Sequence, residues 1–386
     1  MNLKRLMMMI IVLIITCAAP TVKKYSEDEL KARQEEARKY YSIGAEYFKQ
    51  RNFDAALENF NTSLTYDSTY FDPYIAIGNI YREKRNPIEA ENFFQKAMQI
   101  NPKNSKGYEA LADLYTVMLN YPKAESVYLQ GLVIDSTFTE LYLGLANVYI
   151  NTDKNKEAEN IYRKVLAMFP DDITVLKIWG DFLLKQGRYQ DAVDAYSSVI
   201  LRFPDVDELR EKRGDAYTEL GKYKDAIADY QDIVNRKPDN WRTILRIGNV
   251  YLKQNNFTEA KKQFKKAADL VPNDPLPKIY NADLLIRQGN LSQAATDLKA
   301  ALAIDSKLTV ANVLLGDIAK RKAESANKDK KLQDAYKLYK EAIAEYQKIP
   351  NNDLYANYAK TEIKRCQVIM DKIKDELWFQ GIKIEG

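Results

Sequence analysis

Eight short polar side chains recur at one constant spacing: Asn79, Asp113, Asn147, Asp181, Asp215, Asn249, Asp283 and Asp317. An Asn amide both donates and accepts, so it can clamp a backbone amide whatever side chain that residue carries. A carboxylate only accepts, which suits N–H groups or the cations of Lys and Arg. The chemistry on offer is hydrogen bonding to an extended peptide, one rung per interval. The bland alternative is a solvated face, or side chains that bond within their own segment.

Covalent chemistry has few candidates. The 386 residues contain no histidine and only two cysteines, Cys17 and Cys366. That removes the Ser-His-Asp and Cys-His arrangements and the commonest metal ligand. No glycine-rich phosphate loop occurs. No catalytic residue, metal or cofactor is expected. The formal charge is +4, and Lys4 and Arg5 supply two of the 58 basic residues. Such a balance leaves no nucleic-acid footprint.

The first residues, MNLKRLMMMIIVLIITCAAP, run from two cations through an apolar stretch to small residues. The stretch is too short to cross ~30 Å of hydrocarbon as a helix, and the order reads as a secretory signal. Ile14-Ile15-Thr16-Cys17 resembles the lipobox of bacterial lipoproteins, in which the Cys is acylated and becomes the first residue. Cys17 is therefore the expected lipidation site, with residues 1–16 removed. Plain secretion after cleavage at Ala19 and a retained anchor are the alternatives. On the lipidated reading no internal disulfide can form.

The elements that position the polar rungs follow from the rest of the period. Small residues stand at Gly44, Gly78, Ala112, Ala146, Gly180, Gly214, Gly248 and Ala282, and an alanine follows each at one fixed offset, from Ala56 to Ala294. An aromatic line runs through Phe60, Phe94, Tyr128, Tyr162, Tyr196, Tyr230 and Phe264, and Pro or Ser closes every unit. Each unit reads as two amphipathic helices: small residues let them approach, aromatics fill the seam, and the closing residue stops the second helix. The spacing and residue types are similar to the tetratricopeptide repeat, whose period is about 34 residues. That resemblance implies an all-α fold, a right-handed superhelical solenoid of about nine helix pairs with capping helices at both ends.

The expected division is a signal over 1–16, and a lipidated N-terminus, linker and helix start over 17–36. Eight units in frame follow over 37–308, and a ninth over 309–352 has a seven-residue insertion. A capping helix and tail fill 353–386. In the ninth unit Gly316 is in place but the alanine arrives at Ala335, which predicts a longer hairpin turning near Asn327-Lys328-Asp329. Its lysines, Lys320, Lys322, Lys328, Lys330 and Lys331, read as a solvated face. Ser26-x-x-Glu29 is a capping-box pattern. Tyr355, Ala359, Ile363, Cys366, Met370, Ile373 and Leu377 form one stripe, so Cys366 is expected to be buried and inert. Arg210 and Arg213 fall at seam positions and call for carboxylate partners or an anion.

The resemblance places the first helix of each unit on a concave face, where the eight rungs would line a groove for a partner. Lys106, Glu109, Asp113, Glu140, Lys177, Asp181, Glu208, Glu211 and Asp215 would then make its centre acidic. The function implied is a non-enzymatic protein-protein interaction module that holds a peptide or protein segment. A membrane-anchored envelope lipoprotein, outer-membrane and facing the periplasm or surface, in envelope assembly or secretion, fits the leader. A periplasmic secreted form is the alternative location. A scaffold assembling through its edges or caps, with an empty groove, is the alternative function. Oligomeric state is not legible.

Overall fold

The computed structural model describes residues 25–382, so the expected leader and Cys17 lie outside the described residues. Among the described residues the chain forms nineteen helices and no strand. Consecutive helices pack as pairs, and the described residues form two compact units, one up to Val175 and one from Leu176.

The first unit contains α1 (Glu27–Lys49), α2 (Phe53–Tyr66), α3 (Phe71–Glu83), α4 (Pro87–Ile100), α5 (Ser105–Val117), α6 (Tyr121–Ile134), α7 (Thr139–Asn151) and α8 (Asn155–Met168). The division falls inside α9 (Ile173–Lys185). Ser26 and Glu29 form the expected capping box, each side chain accepting the other residue's backbone N–H, and α1 runs unbroken into the first repeat. The first three hairpins turn on residues with positive φ, Arg51, Arg85 and Leu119. Asn52, Asn86 and Asn120 come next and cap the second helix by accepting a backbone N–H three residues on. The core is a chain of local clusters: Ala56, Phe60, Ile77 and Ile80, then Phe94, Leu111, Tyr128 and Leu145.

The second unit continues with α10 (Tyr189–Arg202), α11 (Asp207–Glu219), α12 (Tyr223–Arg236), α13 (Trp241–Lys253) and α14 (Phe257–Leu270). It ends with α15 (Leu276–Arg287), α16 (Leu291–Ile304), α17 (Thr309–Lys328), α18 (Leu332–Gln347) and α19 (Ala356–Phe379). Its seams match the periodicity. A Cβ at Gly248 would stand 2.4 Å from the Phe264 ring, so the helices meet where only glycine fits.

The ninth hairpin is longer than the shift of Ala335 suggests. In a regular repeat Gly248 meets Phe264, with Asn255 at the turn midway between them. In the ninth, Gly316 meets Tyr346, almost twice as far along the chain, with Lys330 at the turn. Because the arms are antiparallel, seven residues added to one arm need seven more on the other to reach the same level. The turn lies at Asp329-Lys330-Lys331, next to the expected place. The hairpin packs on α19, which buries Ala359, Cys366, Ile373 and Leu377 as the stripe predicts. Burial pushes the Cys366 thiol up to about 11, so it is inert at neutral pH.

One lysine departs from the solvated-face expectation. Lys320 sits 2.7 Å from Glu362, a carboxylate only 2% exposed that also pairs with Arg365. Glu362 lies among the apolar residues of α19, and Lys320 supplies the charge that its burial requires.

Candidate functional site

Successive first helices touch side by side, α1 with α3, α3 with α5 and α5 with α7 in the first unit, and α13 with α15 in the second. The eight rungs sit on these helices, seven of them half-buried and Asn147 exposed. Four of the five aspartates are already engaged by tyrosines of the same repeat. The Tyr128 hydroxyl donates to Asp113, Tyr196 to Asp181 at 2.7 Å, Tyr230 to Asp215 at 2.7 Å and Tyr346 to Asp317 at 2.6 Å. Tyr358 adds a second donor to Asp317. At two repeats the second helix carries Phe94 or Phe264 at that place, and the rung is Asn79 or Asn249. A ring without a hydroxyl leaves a carboxylate with no donor, and a neutral amide is cheaper to half-bury there. Asn147 accepts from Asn151, and Asp283 accepts from Arg287. Asn79 and Asn249 have no side-chain hydrogen bond among the described residues, and Asn249 lines an open recess.

Two cations that the sequence pattern did not flag reshape the second unit's face. Lys212 reaches back to Asp181 at 2.7 Å, and Arg246 reaches back to Asp215. Both stand six places into a first helix, one period apart, and each bridges to the preceding repeat. Lys177 pairs with Glu208, and Thr243 donates to Glu211 at 2.6 Å. The acidic residues expected at this part of the face are therefore matched by partners. Asp215, Arg242, Arg246, Asn249 and Tyr280 line a recess of about 340 Å³ on it.

The first unit keeps its acids. Burial, followed by Asp113 and Glu140, pushes Glu109 up to about 7. The folded state thus holds this proton more tightly than the unfolded chain, whose ordinary value is 4.5. The resulting stability is full below that value and lost as pH rises through about 7. Glu109→Gln is expected to match the wild type at pH ~5 and exceed it by ~1–3 kcal/mol at pH ~8. Chemical denaturation at the two pH values checks this. Equal stability at both would remove the buried charge.

The seam arginines pair as ion pairs. Arg213 grips Asp229 through two bonds, 2.6 and 2.8 Å, and also donates to Ser197 at 3.0 Å. Arg210 lies 3.0 Å from Asp232 and donates its Nε to the Pro204 carbonyl. Tyr74, Tyr108 and Tyr142 place their hydroxyls on the carbonyl six residues back in the same way. Arg210 replaces a tyrosine in a recurrent geometry of the repeat, and no anion is needed to explain it.

Tetratricopeptide repeat families match residues 71–104 and 139–172, 179–240, and 217–278. The chain is a tetratricopeptide repeat protein. Solved structures similar to it include others described as tetratricopeptide repeat proteins. One from Parabacteroides merdae is 16% identical, covering 64% of this chain and 97% of that one, with a TM-score of 0.48. YrrB, described as having an unusual peptide-binding site, is 22% identical over 46% of this chain and 92% of its own, at 0.40. PilF of Pseudomonas aeruginosa is 19% identical over 52% and 92%, at 0.41. No curated protein matches. The tetratricopeptide repeats support a protein-protein interaction module.

Proposed function

We propose that the chain is a non-enzymatic binding module that holds an extended segment of a protein partner along its first-helix face. Acylated at Cys17, it would do so as an envelope lipoprotein, with assembly or secretion of envelope components as the setting. The observation that carries the groove reading is the state of Asn249. Its amide is half-exposed and unspent, and it lines the recess beside Arg242 and Arg246. A ligand backbone can use both faces of that amide. Neighbouring helices lie ~8–10 Å apart and an extended chain rises ~3.3 Å per residue, so a rung meets about every third ligand residue.

A photo-crosslinker at position 249 should capture the partner from membranes, whereas one at Lys265 on the second helix α14 should not. In the otherwise unmodified chain, Asn249→Ala with Arg242→Ala is expected to weaken binding on the order of tenfold, from two lost bonds. Cys17→Ser should release the chain from membranes and abolish acyl labelling. Capture from α14 alone would sink the groove reading and favour a scaffold that assembles through its edges.

A further inference from the structure

We propose that the tip formed by the ninth hairpin and the end of α19 docks on an anionic lipid surface. The seam at Gly316 and Tyr346 leaves seven more residues per arm before the turn than other repeats have. At 1.5 Å per residue the tip reaches ~10 Å further past its seam than a regular hairpin does. The end of α19 accompanies it: Lys330 lies 3.9 Å from Glu376, and Leu332, Leu377 and Ile382 share one apolar cluster.

At this tip Trp378 is 73% exposed and Phe379 is 80% exposed, their rings touching edge to face at 5.1 Å. Touching each other, the two rings make one apolar patch at the helix end. A bilayer interface surrounds a projecting tip and accepts aromatics on every side of it. Charge points the same way. Residues 321–337 hold six cations and three acids, and residues 371–382 hold two cations and three acids. Lys328, Lys330 and Lys331 are all exposed around the turn. That excess complements phospholipid headgroups. No helix among the described residues is long and apolar enough to cross a membrane, so the contact is peripheral. The inference stands apart from the groove reading, because it uses none of the groove residues.

The test uses the full chain and its three tryptophans, Trp179, Trp241 and Trp378. Emission is followed as vesicles with brominated acyl chains are added, made of phosphatidylcholine with or without phosphatidylglycerol. Quenching should appear with phosphatidylglycerol and vanish in Trp378→Phe. Replacing Lys328, Lys330 and Lys331 with Glu should lower the Trp378-dependent partitioning on the order of a hundredfold or more. Quenching that is the same in Trp378→Phe overturns the proposal, since the chain then meets the lipid elsewhere. So does a Trp378 blue shift that grows with protein concentration and ignores vesicles, which would assign the tip to a protein contact.

Discussion

Asp229→Ala is expected to destabilise the second unit by about 3–5 kcal/mol, the cost of leaving a buried charge without its partner. The Asp229 side chain is 6% exposed and that of Arg213 is 16% exposed, so neither is rescued by solvent in place. Arg213 would keep only the neutral Ser197 hydroxyl and the Tyr217 ring, and Arg210 would keep Asp232 at the rim. Removing both charges, as Asp229→Leu with Arg213→Met, should restore most of the loss, because the apolar pair has no desolvation penalty. Denaturant unfolding of the two variants separates these outcomes. A single variant as stable as the wild type would mean that water reaches the guanidinium.

Phe264→Ala should cost about 3–5 kcal/mol through the cavity it leaves. The ring is 1% exposed, covers Gly248 and lies 5.5 Å from the Tyr280 ring. Contacts in such an array run only between neighbours, so the damage should stay local. Backbone amides of α13 to α16 should exchange faster, while those of α3 to α6 keep wild-type protection. Hydrogen exchange reads this directly, and it suits a long array whose unfolding need not be two-state. Uniform acceleration along the chain would contradict nearest-neighbour stability.

The seams were legible in the sequence because sterics repeat: Gly248 and Phe264 obey the same distance rule as Gly44 and Phe60. The capping box at Ser26 was legible for a similar reason, since its partners are three residues apart. The face of the second unit was less so. Lys212 and Arg246 look solvated within their own helices, and their partners Asp181 and Asp215 lie 31 residues earlier. The signal was there, as two cations one period apart with an acid nearly one period before each. Asp113, Asp181 and Asp215 each have a Tyr 15 residues on, and Asn79 and Asn249 a Phe; that match was also readable, although Asn147 with Tyr162 and Asp283 with Leu298 depart from it. The exposure of Trp378 was not. An aromatic at a helix end reads as core until the packing around it is known.

The backward-reaching cations also bear on how such a gene can grow or shrink by whole units. Each strut joins a rung in one repeat to the sixth first-helix position of the next. Excising residues 207–240 would bring Arg246 against Asp181, and one cation would stand in for another. Excising residues 241–274 would instead bring Tyr280 against Asp215, leaving a half-buried carboxylate without its guanidinium. Both excisions therefore carry a cost, since the first also sets Arg242 against Lys177 in place of Glu208, and repeats that look interchangeable in the sequence are not free to be lost.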